Sequence, residues 1–147
     1  MRDSGLPWTL LRATEFHDLV LQLVATLARC PVMPLPRGIC VQPVDTRDVA
    51  ECLAHLALGA PAGRVPDVGG PRVWSLPAAA RAYLAATGLR RALVSVPLPG
   101  KTARAFRAGW NLLRGGDTGT RSFEEFLAQR VAPGGRVTLS YSLRHRG

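Results

Sequence analysis

One stretch of the chain has the residue types of a phosphate-binding loop. It runs Ser95-Val96-Pro97-Leu98-Pro99-Gly100-Lys101-Thr102 and lies between a predicted strand and a predicted helix. Such loops need glycine at the first position and a run of free amides that curl around phosphate oxygens. Here serine occupies the first position, and Pro97 and Pro99 each remove an amide and stiffen the turn. These departures argue against a nucleotide loop.

A second candidate is His17, which stands beside Asp18 where a predicted strand gives way to a predicted helix. Ligands commonly bind at such junctions in open α/β sheets. An imidazole in that position could contact a substrate, so His17 is a candidate substrate-binding residue. The alternative is a polar residue on the helix with no such role, and the sequence leaves both open.

Other catalytic and metal-binding motifs are absent from the sequence. The glycine pairs at 69–70, 115–116 and 134–135 have neither the G-x-G-x-x-G spacing nor a strand-to-helix setting. Lys101 is the sole lysine, and no tyrosine precedes it by one helical turn. The three histidines lack metal-ligand spacing, and no Gly-x-Ser-x-Gly elbow exists. No catalytic residue and no metal site are therefore predicted.

The elements that would position these residues alternate between strands and helices, which predicts an α/β arrangement. Strands are expected at 8–11, 39–44, near 65–68 and at 92–96. Helices are expected from 15 to before Pro31, from 45 or 46 to 58, from 75 to 87, from 100 to 113 and from 122 to 127. The segment 31–38 reads as a proline-rich loop, and 115–117 as a turn. The segment 137–147 reads as a strand or a frayed tail.

Apolar spacing assigns an inward face to several elements. The strand at 8–11 is expected to be buried. The inward face of the first helix is predicted to consist of Phe16, Leu19, Val20, Leu23, Val24 and Leu27. The corresponding residues of the second helix are Val49, Ala50, Leu53, Leu56 and Ala57, and those of the fourth are Ala103, Phe106, Trp110 and Leu113.

Composition describes one globular domain with an excess of positive charge. The 147 residues are 47% hydrophobic and 20% charged, with a formal net charge of +9. Three cysteines without a C-x-x-C pair suggest neither a disulfide framework nor a zinc site and fit a reducing compartment. No apolar run is long enough to span a bilayer, and no signal-peptide profile appears at the N-terminus. We expect a cytoplasmic protein that does not bind membranes.

Five segments in order resemble one family. They are Ser4 to Phe16, Gln42 to Ala50, Asp67 to Pro71, Val96 to Lys101 and Ser122 to Leu127. Together they are similar to the C-terminal half of atypical short-chain dehydrogenases/reductases, the NmrA-like or sugar-epimerase-like NAD(P)-binding proteins. The resemblance covers roughly residues 3 to 132. It implies a partial Rossmann-like fold with a small substrate-side subdomain over residues 1–136, followed by a tail at 137–147.

The resemblance also implies a ligand site. Its cofactor-binding candidates are Arg12, Ala13, Thr14, Glu15 and Phe16, which match the family's loop past the nicotinamide end of NAD(P). The alternative is that Arg12 and Thr14 only satisfy turn and cap hydrogen bonds. In full-length relatives the glycine-rich loop precedes the point where this chain begins. We therefore expect a truncated oxidoreductase- or epimerase-like protein that binds no NAD(P) tightly and is inactive or weakly active alone.

The missing first βαβ units would leave a sheet edge and apolar helix faces uncovered. Three explanations are open: a truncated gene product, a start site placed too late, or a half that pairs with another chain. Self-association or a complementing chain are accordingly the expected partners, beside a small-molecule substrate that the sequence does not identify.

A second hypothesis is a non-enzymatic basic binding module. From Lys101 onward there are nine basic and three acidic residues, a local charge of +6. On this hypothesis the C-terminal half docks an acidic protein or nucleic acid. A solvated basic surface explains the same residues, and nucleic acid is not favoured as a partner.

The basic-module hypothesis predicts a strong dependence of binding on salt. Affinity for an acidic protein or DNA should fall steeply between 50 and 200 mM NaCl, by about tenfold or more, because counterions screen the charged contacts. Fluorescence anisotropy with a labelled duplex and a labelled acidic protein measures this. Absent binding, or binding that salt does not change, would eliminate the hypothesis.

Overall fold

The computed structural model describes residues 6–132 and 135–138. Helices in the described residues are α1 (His17–Leu27), α2 (Thr46–Ala57), α3 (Leu76–Thr87), α4 (Lys101–Arg107) and α5 (Phe123–Arg130). Strands are β1 (Thr9–Leu10), β2 (Val32–Pro36), β3 (Cys40–Val41), β4 (Gly63–Arg64), β5 (Asp67–Gly69), β6 (Trp74–Ser75), β7 (Ala92–Val96) and β8 (Gly116–Thr118). Among the described residues, no helix has the length and apolar character that crossing a membrane requires.

The strands pair mostly in parallel. β1 pairs with β4, and β5 pairs with β8. A parallel bridge between Ala13 and Val68 extends the line of β1 alongside β5, so segment 63–69 lies between β1 and β8. β2 pairs in parallel with β7, while β3 and β6 are antiparallel. This agrees with the predicted α/β class.

The loop predicted at 31–38 is wrong, because residues 32–36 form β2 with β7 as its partner. The amide of Ala92 donates to the carbonyl of Pro31, and the amide of Arg37 donates to that of Val96. The backbone N–H and C=O groups of the odd-numbered residues of β2 therefore point toward β7, because these groups alternate in direction along a strand. Pro34 and Pro36 stand at the even positions, where no ladder hydrogen bond needs their missing N–H.

The main core lies between α1, α3, α5 and β2. Fully or nearly buried side chains in this cluster include Leu21, Val24, Met33, Leu35, Trp74, Tyr83, Phe123 and Phe126. A smaller cluster of Val44, Val49 and Val68 packs beneath α2 and β5. Val41 of β3 belongs to the main core and Val44 to the smaller cluster, so segment 40–45 contributes to both.

Three helices begin with a side-chain cap, within one residue of the starts predicted for them. The side chain of Asp45 accepts the amide of Arg47 at the start of α2. Ser75 accepts the amide of Ala78 at the start of α3. Ser122 forms a complete capping box with Glu125 at the start of α5. These caps fix where each helix begins.

Several predicted inward faces are wrong. β1 is exposed rather than buried. On α1, the predicted Val20 and Val24 are buried together with His17 and Leu21, but the predicted Leu19 and Leu23 are 57% and 42% exposed. On α2 only Val49 is buried, and α4 ends at Arg107 and leaves Trp110 exposed.

The predicted turn at 115–117 is also wrong, because Gly116 begins β8. A Cβ at Gly116 would lie 2.1 Å from the carbonyl oxygen of Asp67, and the residue has φ +132°. The absence of a side chain therefore allows the two backbones to pair.

The predicted tail at 137–147 is described only at its start. Val137 forms an antiparallel bridge with Val131, and the amide of Thr138 donates to the carbonyl of Arg130. Residues 139–147 lie outside the described residues. The division into residues 1–136 and 137–147 stays a prediction.

Gly70 tests the close contact between β5 and segment 42–44. A Cβ there would lie 1.8 Å from the carbonyl oxygen of Pro43, so Gly70→Ala forces two backbone segments apart. We expect a loss of about 3 kcal/mol or more in the free energy of unfolding, measured by urea denaturation. Gly59→Ala is the control, because its Cβ would have no neighbour closer than 3.7 Å. Equal stability of the two variants would contradict the contact.

Candidate functional site

The chain between β1 and α1 is fixed on both sides by neighbouring segments. Ala13 forms a parallel bridge with Val68, and Phe16 forms one with Val44. This connection therefore behaves as an extension of the sheet rather than as a free loop. It leads directly into α1, so the predicted strand-to-helix junction is present.

Arg12 and Thr14 are held by contacts with distant segments. The guanidinium of Arg12 donates to Asp67 at 3.1 Å and to the carbonyl of Trp110 at 2.6 Å. The Thr14 hydroxyl donates to the carbonyl of Gln42 at 2.5 Å. These bonds are neither turn nor cap bonds. They join the junction to β5, to segment 108–114 and to segment 40–45.

Glu15 lies at the centre of a second set of polar contacts. Its Oε1 accepts the side-chain amide of Asn111 at 2.7 Å, and its Oε2 accepts the backbone amide of Gln42 at 3.3 Å. The same Asn111 nitrogen donates to the carbonyl of Cys40 at 2.8 Å. Two protein donors therefore hold the Glu15 carboxylate in one orientation.

Gln42 connects this set to the rest of the fold. Its side-chain nitrogen donates to the carbonyl of Gly70 at 2.8 Å, and its side-chain oxygen accepts the amide of Leu113 at 2.9 Å. Gln42 is 6% exposed, so it is a buried polar side chain with both polar ends satisfied. The sequence places Gln42 in a predicted strand and Asn111 in a predicted helix, without a role for either. A glutamine inside an otherwise apolar strand was the one available signal.

Glu15 also borders an apolar cavity of about 520 Å³. Eleven of its thirteen lining residues are apolar: Leu19, Val20, Leu23, Pro36, Ile39, Val41, Leu76, Leu98, Pro99, Ala103 and Phe106. Glu15 and Thr102 are the two polar members. This volume lies in the range of small-molecule pockets, which typically combine apolar walls with a few polar groups. The junction therefore meets a cavity that could hold an organic ligand.

His17 lies in the core. Its side chain is 1% exposed and packs against Phe123 and Phe126. Nε2 lies 2.9 Å from the carbonyl oxygen of Pro43, a contact that places a proton on this nitrogen. Nδ1 lies 3.9 Å from Oδ2 of Asp45, and within the described part of the chain it has no hydrogen-bond partner. His17 has almost no exposed surface with which to contact a substrate, and its role as a substrate-binding residue stays a prediction.

Burial sets the charge state of His17. Desolvation lowers the pKa of its imidazole below the usual 6.5, and the opposing charge of Asp45 compensates only in part. Asp45 differs. Its burial raises the pKa of the carboxyl, but hydrogen bonds and charge from Arg47 outweigh burial and lower the pKa overall. The structure thus places a neutral imidazole beside an ionised carboxylate.

The basic residues from Lys101 onward that the structure describes divide into two groups. Arg121 pairs with Asp48 and Glu51, and Arg130 pairs with Asp18. The others are exposed, namely Lys101, Arg104, Arg107, Arg114 and Arg136. The first group contributes to the fold, and the second forms a surface whose role stays open.

No protein-family profile and no curated protein sequence matches the chain. Solved structures do match. One is a nucleoside-diphosphate-sugar epimerase from Staphylococcus aureus, with a TM-score of 0.62 and 13% identity over 86% of this chain and 54% of that one. Another is UDP-glucose 4-epimerase from Bifidobacterium longum in complex with NAD+ and UDP, with a TM-score of 0.58 and 12% identity. That match covers 92% of this chain and 51% of the epimerase.

The chain has a partial Rossmann-like fold. It spans about half the length of the two epimerases. At 12–13% identity the likeness concerns the architecture alone.

The buried His17 predicts a dependence of stability on pH. Its pKa is near 6.5 in the unfolded chain and lower in the folded one, so the unfolded state binds more protons between these values. The free energy of unfolding should be constant above about pH 7.5 and fall as pH decreases through 6.5. Urea denaturation from pH 8 to pH 5 measures it.

The variant His17→Gln should flatten this profile between pH 7 and 5, and His55→Gln should keep it, since His55 is exposed on α2. The lowered pKa of Asp45 acts in a separate window, because its stabilisation is lost only as pH falls below about 3.8. A profile that depends on His55 instead of His17 would contradict the assignment.

Proposed function

We propose that this chain is the substrate-side half of an NAD(P)-dependent epimerase- or oxidoreductase-like protein. The observation that carries the proposal is the junction of Arg12 to Phe16, which is fixed by the sheet and opens through Glu15 onto the apolar cavity. Ligands of open α/β sheets bind outside the carboxyl ends of parallel strands. The junction follows the carboxyl end of β1, which is parallel to β4.

In this proposal the five junction residues run past the nicotinamide end of the cofactor. Glu15 and its partners Asn111 and Gln42 orient the edge of the site that faces the substrate. One of the similar epimerases was solved with NAD+ and UDP, which supports NAD(P) as the cofactor class.

The residues described do not fit a complete dinucleotide. A pyrophosphate needs free amides at a glycine turn. One glycine of each of two pairs is already packed against protein, since a Cβ at Gly70 would meet the carbonyl of Pro43 and one at Gly116 that of Asp67. A further glycine-rich segment must therefore supply the pyrophosphate site.

The free edge of β1 is the proposed attachment point for that segment. The carbonyls of Trp8 and Leu10 accept the amides of Gly63 and Val65, so Thr9 and Leu11 direct their backbone groups to the opposite side. No described strand pairs there. Leu10 is half-exposed on β1. We propose that the first βαβ units of the fold, in the same chain or a complementing one, add to this edge.

Cytoplasmic localisation is part of the proposal. It is supported by three free cysteines, Cys30, Cys40 and Cys52, which persist as thiols most readily in a reducing compartment.

The chain alone should not bind NADPH at micromolar concentration. The reason is the missing pyrophosphate site, and isothermal titration calorimetry provides the measurement. Tight binding should appear when the chain is joined to a segment that contains a strand, G-x-x-G-x-x-G and a helix, encoded in frame upstream or in a neighbouring gene. In that complex Glu15→Gln should weaken the nicotinamide-dependent part of binding, while Leu58→Gln, at a fully exposed position away from the junction, should not.

Micromolar binding of NADPH by the isolated chain would contradict the proposal. So would the absence of any strand–glycine-loop–helix segment in the coding sequence upstream or nearby.

A further inference from the structure

The cavity beside Glu15 has a chemical character that none of the similar proteins' descriptions assigns. We propose that it binds a neutral, mainly apolar small molecule and discriminates against diphosphate-bearing ligands such as nucleotide sugars. This inference rests on the proposed function, because it names the substrate class of the same site.

The shape of the cavity is the first argument. Val20, Val41 and Leu76 are almost fully buried and form its base, whereas Leu19, Leu23 and Leu98 are roughly half-exposed and form its rim. A rim of exposed leucines above an apolar base is unfavourable in water. An apolar ligand in the cavity removes this surface from water, which contributes to its affinity in proportion to the area covered.

The charge of the cavity is the second argument. Glu15 is the one ionisable residue among those that line it, and no arginine or lysine of the described part of the chain lines it. Lys101 adjoins the lining residue Thr102 in sequence, yet it is exposed and outside the lining. Sites for diphosphates supply arginine, lysine or free amides. A fixed carboxylate in an apolar cavity repels an anion instead.

The polar groups of the cavity narrow the ligand further. The Glu15 carboxylate has lone pairs beyond the two that its protein donors use, so it can accept a hydrogen bond from a ligand hydroxyl or N–H. The Thr102 hydroxyl can donate to a carbonyl oxygen. The ligand class is therefore an uncharged, mostly hydrocarbon compound with one or two hydroxyl, amide or carbonyl groups.

A matched pair of fluorescent probes tests this inference on the full chain. N-phenyl-1-naphthylamine is neutral, and 8-anilinonaphthalene-1-sulfonate has the same rings with one sulfonate added. We expect the neutral probe to bind at least about tenfold more tightly to the cavity. UDP-glucose at millimolar concentration should not displace it. Glu15→Gln should reduce the preference for the neutral probe, because it removes the repelling charge.

Substitutions of the leucines at the rim test whether the fluorescence of the neutral probe comes from the cavity. Leu23→Gln on α1 and Leu98→Gln before α4 should each weaken the neutral probe about fivefold by placing an amide at the apolar rim. Leu53→Gln is the matched control, since Leu53 is a helical leucine of similar exposure that lies outside this cavity. Equal urea midpoints confirm that the variants are folded.

Four results would overturn the inference. The first is that the sulfonate probe binds the cavity as tightly as the neutral probe or more tightly, and the second is that UDP-glucose displaces the neutral probe. The third is that neither rim variant changes the binding of the neutral probe. The fourth is that probe binding is lost when the chain dimerises, which would assign the cavity to a second copy. Failure of the proposed function has a different signature. In that case the joined protein does not bind NADPH, while probe binding and its dependence on Leu23 and Leu98 remain.

Discussion

The side chain of Gln42 holds the described structure together at the point where its segments converge. This one buried amide bonds to Gly70 and Leu113, and its backbone bonds to Thr14 and Glu15. These partners belong to three different segments of the chain, which are the junction after β1, the residue that follows β5 and segment 108–114. A buried amide is stable only when its donors and acceptors are satisfied together, so these segments are positioned jointly or not at all. The orientation of Glu15 is a consequence of that joint positioning.

Features set by neighbouring residues were predictable from the sequence. The caps at Asp45, Ser75 and Ser122 depend on amides two or three residues away, and the helix starts expected at 45 or 46, 75 and 122 lie within one residue of those observed. The strand at 92–96 and the α/β alternation were also confirmed. The junction after β1 was located, since it lies where apolar alternation changes to helical spacing.

Features set by distant residues were not predictable. β2 was missed because its partner β7 lies some 60 residues later, and its prolines resemble those of a loop. The contact of Glu15 with Asn111 spans 96 residues and has no sequence signal. The apolar stripe of α1 was read as a single inward face, although it serves two surfaces. Val20, Leu21 and Val24 pack in the core, and Leu19 and Leu23 border the cavity. Helical spacing alone cannot separate a core from a binding surface.

The prolines of β2 limit how the two-stranded sheet of β2 and β7 can add a further strand. Pro34 and Pro36 occupy the side of β2 that faces away from β7, so that border offers no pair of amides to an incoming strand. The outer border of β1 contains no proline and keeps its backbone donors available. Strand addition, whether by a natural complement or by misassembly, is therefore disfavoured at this border of β2 and remains possible at the outer border of β1.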